Sequence, residues 1–218
     1  MNESAICYRA LNKSTGTMID VGAHIGTSLS MFVGWKIYAF EPDTENWQEL
    51  VKRFGSNPLI HIDRRAVSNK PATNVTLYKS QQSTGISSLS AFTDSHYAAI
   101  GVDVTTLADF ILEKGIEQVD FLKIDTEGHD YFVLQGFPWG KILPSVVLCE
   151  FENSKTIPLG HTFDDIAKYL QEKGYDLTIS EWYPVKTYGT AHEWKQFLDY
   201  PCELDENAWG NIIATRRK

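Results

Sequence analysis

From Thr17 onward, short apolar runs alternate with amphipathic helical patterns, and this alternation constrains the fold more than any other feature of the chain. Parallel strands need a crossover long enough to return to the same end of the sheet, so the pattern predicts βαβ units on a mostly parallel sheet. Residues 17–21 read as the first strand, 22–26 as a glycine-bounded turn and 27–33 as a short helix. Residues 36–40 form a second strand that ends at Glu41-Pro42. Trp47, Leu50, Val51 and Phe54 follow at i, i+3, i+4 and i+7, one face of a helix that stops at Gly55. Residues 59–66 read as a third strand, 74–78 as a shorter edge strand, and 79–94, rich in Ser, Thr, Gln and Gly, as a loop. Thr106 and Asp109 have capping-box spacing before a helix closed by Gly115. Residues 119–124 and 145–151 are strongly apolar strands. Thr162 caps a helix with Phe163, Ile166 and Leu170 on one face, and residues 176–185 and 209–215 finish the sheet.

The chain has 218 residues, with 20 Lys plus Arg against 28 Asp plus Glu and a formal net charge of −8. That length suits one domain with a full core. No period of 20 to 50 residues repeats and no linker divides the sequence, so residues 1–218 read as one domain with 1–16 as a short lead-in. Nucleic-acid backbones demand clustered cations. The basic clusters here are short (Lys52-Arg53, Arg64-Arg65, Arg216-Arg217-Lys218), which argues against such a partner. No stretch reaches 18 apolar residues, and the first residues lack the basic and apolar regions of a signal peptide, so the expectation is a cytoplasmic protein without a membrane partner. Three cysteines without a CxxC pair exclude a disulfide scaffold and read as free thiols.

The most specific stretch is Asp20-Val-Gly-Ala-His-Ile-Gly26, followed 21 residues after Asp20 by Glu41 at the next strand end. A glycine turn between strand and helix admits a ligand to the backbone, and an acid at the second strand end can accept both hydroxyls of a ribose. A dinucleotide fingerprint would read GxGxxG and seat a pyrophosphate on the helix N-terminus. Here the turn reads DxGxxxG, and a carboxylate there repels a pyrophosphate but suits an ammonium-bearing amino-acid tail. S-adenosylmethionine has such a tail, a sulfonium and a ribose. NAD, or a turn that serves only chain reversal, are the alternatives.

These residues also carry a resemblance. Asp20-Val-Gly-Ala-His-Ile-Gly26, Tyr38-Ala-Phe-Glu-Pro42, Arg65-Ala-Val-Ser68, Thr105-Thr-Leu-Ala-Asp-Phe110 and Phe121-Leu-Lys-Ile-Asp-Thr-Glu-Gly-His-Asp130 resemble, in order, the FkbM family of S-adenosylmethionine-dependent methyltransferases. The resemblance implies an α/β class I methyltransferase fold, a Rossmann-like three-layer sandwich on a seven-stranded, mostly parallel sheet with an antiparallel last strand. It implies O-methylation of a small-molecule hydroxyl, on a sugar, nucleotide sugar or related metabolite of glycan, capsule or natural-product pathways. The residues expected at the cofactor are Asp20, Gly22, Ala23, His24, Gly26, Glu41, Pro42 and Ala66. His24 stands where the family commonly has Asn, and only 16 residues precede the first strand, leaving little room for an N-terminal substrate cap.

In open α/β sheets ligands sit beyond the carboxyl ends of the strands. Asp20, Glu41, Asp125 and Glu150 fall at four such ends and should converge. Methyl transfer to a hydroxyl needs the oxygen aligned and its proton removed. His129 or Asp125 is the expected base, and Lys123 and Glu150 orient the substrate or each other. Glu127, Ser87 and Ser88 are expected at the acceptor. Asp125, Glu127, His129 and Glu150 also form an oxygen-rich set able to hold Mg²⁺ or Ca²⁺, Asp125 and Glu150 foremost, with hydrogen bonding to substrate as the alternative.

Bland readings stand beside these. Glu127 and Asp130 would favour a helix dipole, Lys123 with Asp125 or Glu150 would be a structural ion pair, and the Ser-rich loop at 83–88 would be surface. Trp182, Tyr183, Tyr188 and Trp194 would pack a hairpin or stack on a sugar. Homo-oligomerisation, fusion to another domain, and a non-catalytic cofactor-binding module or subunit of a larger enzyme complete the expectations.

Overall fold

The computed structural model describes residues 1–217. In chain order the elements are α1 (Glu3–Leu11), β1 (Thr17–Val21), β2 (Lys36–Phe40), α2 (Thr44–Phe54), β3 (Ile60–Asp63), β4 (Ala66–Val67), β5 (Ala72–Ser80) and β6 (His96–Thr105). They continue with α3 (Leu107–Lys114), β7 (Phe121–Ile124), α4 (Asp130–Gln135), β8 (Val146–Glu152) and α5 (Asn153–Thr156). The last are α6 (Phe163–Glu172), β9 (Tyr175–Trp182), β10 (Trp194–Asp199) and β11 (Trp209–Arg216).

The main sheet runs β10-β9-β11-β8-β7-β1-β2-β3. Its neighbours from β8 to β3 are parallel, whereas β11 lies antiparallel to both β8 and β9. This is the expected α/β class with its reversed last strand. The count of seven is corrected to eight by β10, which pairs antiparallel with β9 as an outer edge. Trp194-Lys-Gln-Phe-Leu-Asp199 lacks strict alternation because an edge strand rests on little core, so its signal is weak.

Both faces of the sheet are covered, which is why β1, β7 and β8 read as near-continuous apolar runs. Ile19, Val21, Phe40, Leu122 and Ile124 face one core with Phe110, Val133 and Leu170. Met18, Ile37, Ala39, Phe121 and Leu148 face the other with Cys7, Leu29 and Leu50. The lead-in is therefore partly helix: Cys7 and Leu11 of α1 are buried, and Asn2 caps it by accepting from the Ala5 amide.

The expected strand at 59–66 divides at Arg64-Arg65. Its first part, β3, joins the main sheet, and β4 joins a second sheet of order β4-β6-β5. Residues 74–78 do lie on an edge strand, β5 of that small sheet. Capping is as expected: Thr106 accepts from the Asp109 amide, and Thr162 and Asp165 form a full capping box. Among the described residues no helix is long and apolar enough to cross a membrane.

Candidate active site

The carboxyl ends of β1, β2 and β7 open into a cavity covered by segment 84–89. Of the residues expected at the cofactor, Gly22, His24, Glu41, Pro42 and Ala66 line it. Ala23 lies instead in a more open hollow beside Ser28, Lys123 and Asn211, which adjoins the cavity at Gly22, His24 and Asp125.

The two glycines serve chain approach first. Gly22 has φ +78°, and a Cβ there would collide with the Asp125 carbonyl, so the turn must be bare for β1 and β7 to end side by side. A Cβ on Gly26 would strike Leu50 and Phe54 of α2. His24 sits at φ +51°, a left-handed conformation that Asn, Asp and His adopt more readily than other side chains. His and Asn are thus interchangeable there on backbone grounds, and the His24 ring reaches 3.3 Å to Thr84 Oγ1 in the covering segment.

Glu41 is buried, and its carboxylate accepts from the backbone amides of His24 and Asp43, each at 2.8 Å. Burial raises its pKa to about 7 although both amides pull it down. Each oxygen keeps a further lone pair, so the group is placed to accept two hydroxyls from within the cavity.

Asp20 is fully buried and does not line the cavity. Ser28 Oγ donates to it at 2.6 Å and Lys123 Nζ at 3.0 Å, so the ammonium expected to meet Asp20 is supplied by the protein itself. Burial pushes the Asp20 pKa up while Lys123 opposes it. Lys123 also donates to the Gly22 carbonyl at 3.3 Å and pairs with Asp125 at 3.4 Å, a tie across β1 and β7 beneath the turn.

The acceptor side is built by the turn after β7. Asp125, Glu127 and His129 line the cavity, while Glu150 lies behind them, buried in β8. Burial, with His161 adding to it, lowers the His129 pKa to about 4, so its ring is neutral and a weak base. Glu127, 12% exposed, has its pKa raised to about 7 by burial, with Lys155 opposing.

Lys155 escaped sequence reasoning. It follows the run at 145–151 in a polar stretch, and its one signal was a cation three residues past Glu152. Its ammonium lies 2.5 Å from Glu127, 2.9 Å from Glu152 and 3.5 Å from Glu150. Asp125, Glu127 and Glu150 do bring one oxygen each within 4.8 Å of one another. Lys155 already supplies the positive charge for two of them, and His129 stands outside the group, so the set does not fit the Mg²⁺ or Ca²⁺ expectation.

Ser87 Oγ donates to Asp43 at 3.2 Å, and the buried Ser88 donates to the Glu127 carbonyl at 2.9 Å. Both hydroxyls pin the covering loop down, as does Asn46, which donates to the Thr84 carbonyl at 2.9 Å. The C-terminal aromatics divide. Trp182 packs tilted against Trp209 and Trp194 against Phe197 within the hairpin region, whereas Tyr188 packs on Phe92 and donates to Glu152 at 2.8 Å.

The family described as the methyltransferase FkbM domain matches residues 20–177. Methyltransferase FkbM from Methylobacillus flagellatus KT superposes with a TM-score of 0.54 at 16% identity, over 92% of this chain and 44% of that one. The present chain therefore spans less than half the length of that relative. The precorrin-6y C5,15-methyltransferase from Geobacter metallireducens GS-15 gives 0.48 at 13% identity, over 98% and 87% of the two chains. TrmK of M. capricolum, in complex with S-adenosyl-homocysteine, gives 0.48 at 11% identity, over 98% and 68%. At such identities the likeness is one of fold. No curated protein matches the sequence.

Proposed function

Because this chain belongs to the methyltransferase FkbM domain family, we propose that it transfers the methyl group of S-adenosylmethionine to a hydroxyl of a small molecule, a sugar or related metabolite. The observation that carries the reading is Glu127, a desolvated carboxylate on the cavity wall whose pKa is raised to about 7. Hydroxyl methylation releases one proton, and a base that titrates near the working pH removes it best.

The residues present suit the cofactor. Glu41 takes the ribose hydroxyls with its remaining lone pairs, Pro42 and Ala66 wall the nucleoside, and the amino-acid tail lies along the turn at Gly22 and His24, which lines the cavity. Asp20 and Lys123 act from beneath by holding the turn. When bound, S-adenosylmethionine supplies the methyl carbon, whose bond to sulfur breaks with its electron pair left on sulfur as the carbon–oxygen bond forms. The acceptor's proton passes to a Glu127 carboxylate oxygen, and Asp125 orients the hydroxyl. The net charge of −8 favours a small acceptor over nucleic acid, and the reading takes residues 1–218 as one cytoplasmic domain, alone, self-associated or within a larger protein.

The test is release of S-adenosylhomocysteine by the purified chain with a broad panel of sugars and nucleotide sugars. Acceptor-dependent release is expected. Calorimetric binding of the cofactor with no release across the panel would favour the binding-module reading instead. Glu41→Ala is expected to weaken S-adenosylmethionine at least about tenfold in that calorimetry, since hydrogen bonds to a charged group are worth about 1.5–3 kcal/mol each. Unchanged affinity would remove Glu41 from the cofactor site.

A further inference from the structure

We propose that Lys155 is a positioning residue for the acceptor reaction: its ammonium holds the Glu127 carboxylate against the cavity wall, where that carboxylate meets the acceptor hydroxyl. The proposal rests on reading Glu127 as the proton acceptor.

The geometry exceeds what burial of a lysine requires. A buried ammonium needs a partner, and Glu152, three residues earlier and 2.9 Å away, already provides one. Lys155 nevertheless reaches on to Glu127 at 2.5 Å with only 2% of its side chain exposed, and the rings of Phe92 and Tyr188 close over it at 5.1 and 5.6 Å. One cation thus faces three carboxylates from two segments of chain.

The turn that carries Glu127 is shaped to this contact. Glu127 has φ +57° and Gly128 φ +99°, two consecutive left-handed residues. For a residue with a Cβ this costs about 1 kcal/mol or more, and such strain persists only where the surroundings fix it. Ser88 Oγ fixes the Glu127 carbonyl at 2.9 Å, and Lys155 takes the carboxylate. Gly128 provides the room: a Cβ there would stand 3.1 Å from Lys155 Cβ, tighter than ordinary contact. The strained turn and the lysine stem form one packed unit whose product is the direction of the Glu127 side chain. The charged groups facing Glu127 are Lys155 from α5, Glu150 from β8, and Asp125 and Asp130 from its own turn and α4.

Carbon-13 NMR of glutamate carboxyls in the full chain, with the Glu127 signal assigned by its loss in Glu127→Gln, reads this without cofactor or acceptor. Lys155→Met should move the Glu127 midpoint up by about one pH unit or more, and Lys155→Arg should hold it within about half a unit of wild type. Glu152→Gln retains the cation, removes its competing partner and should move the midpoint down, which keeps the test decisive if Lys155→Met does not fold. In turnover, Lys155→Met should lower kcat at least about tenfold with acceptor KM within about twofold, and Lys155→Arg should recover it. A Glu127 midpoint that moves in neither Lys155→Met nor Glu152→Gln overturns the proposal. If Glu127→Gln itself leaves turnover intact, the functional reading has failed instead, whatever the Lys155 variants do.

Discussion

Glu127→Gln lowers acceptor-dependent methyl transfer by about 10²- to 10⁴-fold, the usual worth of a positioned general base, and leaves cofactor affinity within about twofold. The amide keeps the size of the side chain but cannot take a proton, so the loss falls on kcat. The pH profile gives an independent check. Burial raises the Glu127 pKa to about 7, so the ionised, proton-accepting form grows as pH rises. The rate should climb with pH, pass half its limit near pH 7 and level off above, falling about tenfold per unit on the acid side. The His129 pKa is lowered to about 4, which keeps its ring neutral across that range. His129→Gln should therefore leave the midpoint of the limb where it was. A limb that disappears in His129→Gln and survives in Glu127→Gln would return the base to His129.

Asp20→Ala should cost about 3–5 kcal/mol, because it strands the buried Lys123 ammonium with a 3.4 Å contact to the partly exposed Asp125 and a carbonyl at 3.3 Å. For a domain of this size that is a fall in Tm of about 6–20 °C. The double variant Asp20→Ala, Lys123→Met removes charge and countercharge together and should recover most of the loss. If Asp20→Ala melts within about 2 °C of wild type, the pair is not what ties β1 to β7. A cofactor affinity that falls in Asp20→Ala and returns in the double variant would show that Asp20 acts through the backbone turn and not by contact.

Much of this was written locally. Strands buried on both faces announce themselves as apolar runs, and of the four carboxylates expected to converge from strand ends Glu41 and Asp125 line one cavity, while Asp20 and Glu150 lie buried behind it. What escaped were features decided by distant partners. Asp20 reads as a ligand carboxylate because nothing nearby in sequence shows that Lys123 will face it across a parallel pair of strands. Lys155 draws no reading at all because its three carboxylates are gathered by two different segments. His129 has a favourable residue type for a base, but burial beside His161 sets its proton affinity, and burial is a tertiary property. β6 was missed because its outer half is exposed on a small sheet whose buried core is Ala66, Leu77, Val102 and Val104.

The place of β11 also decides what joins the two halves of the sheet. This strand, residues 209–216, slots between β8 and β9 and bonds to both along its length. Among the described residues β11 is the one strand that joins β8 to β9, so without it their facing edges would stand unpaired. Such edges are templates for pairing with other chains. The outer half of the sheet, β9 and β10, is thus tied to the central strands through residues 209–216. A proline that breaks the pairing of β11, such as Ile213→Pro, should therefore expose two strand edges together and give aggregates in light scattering where the wild type gives none.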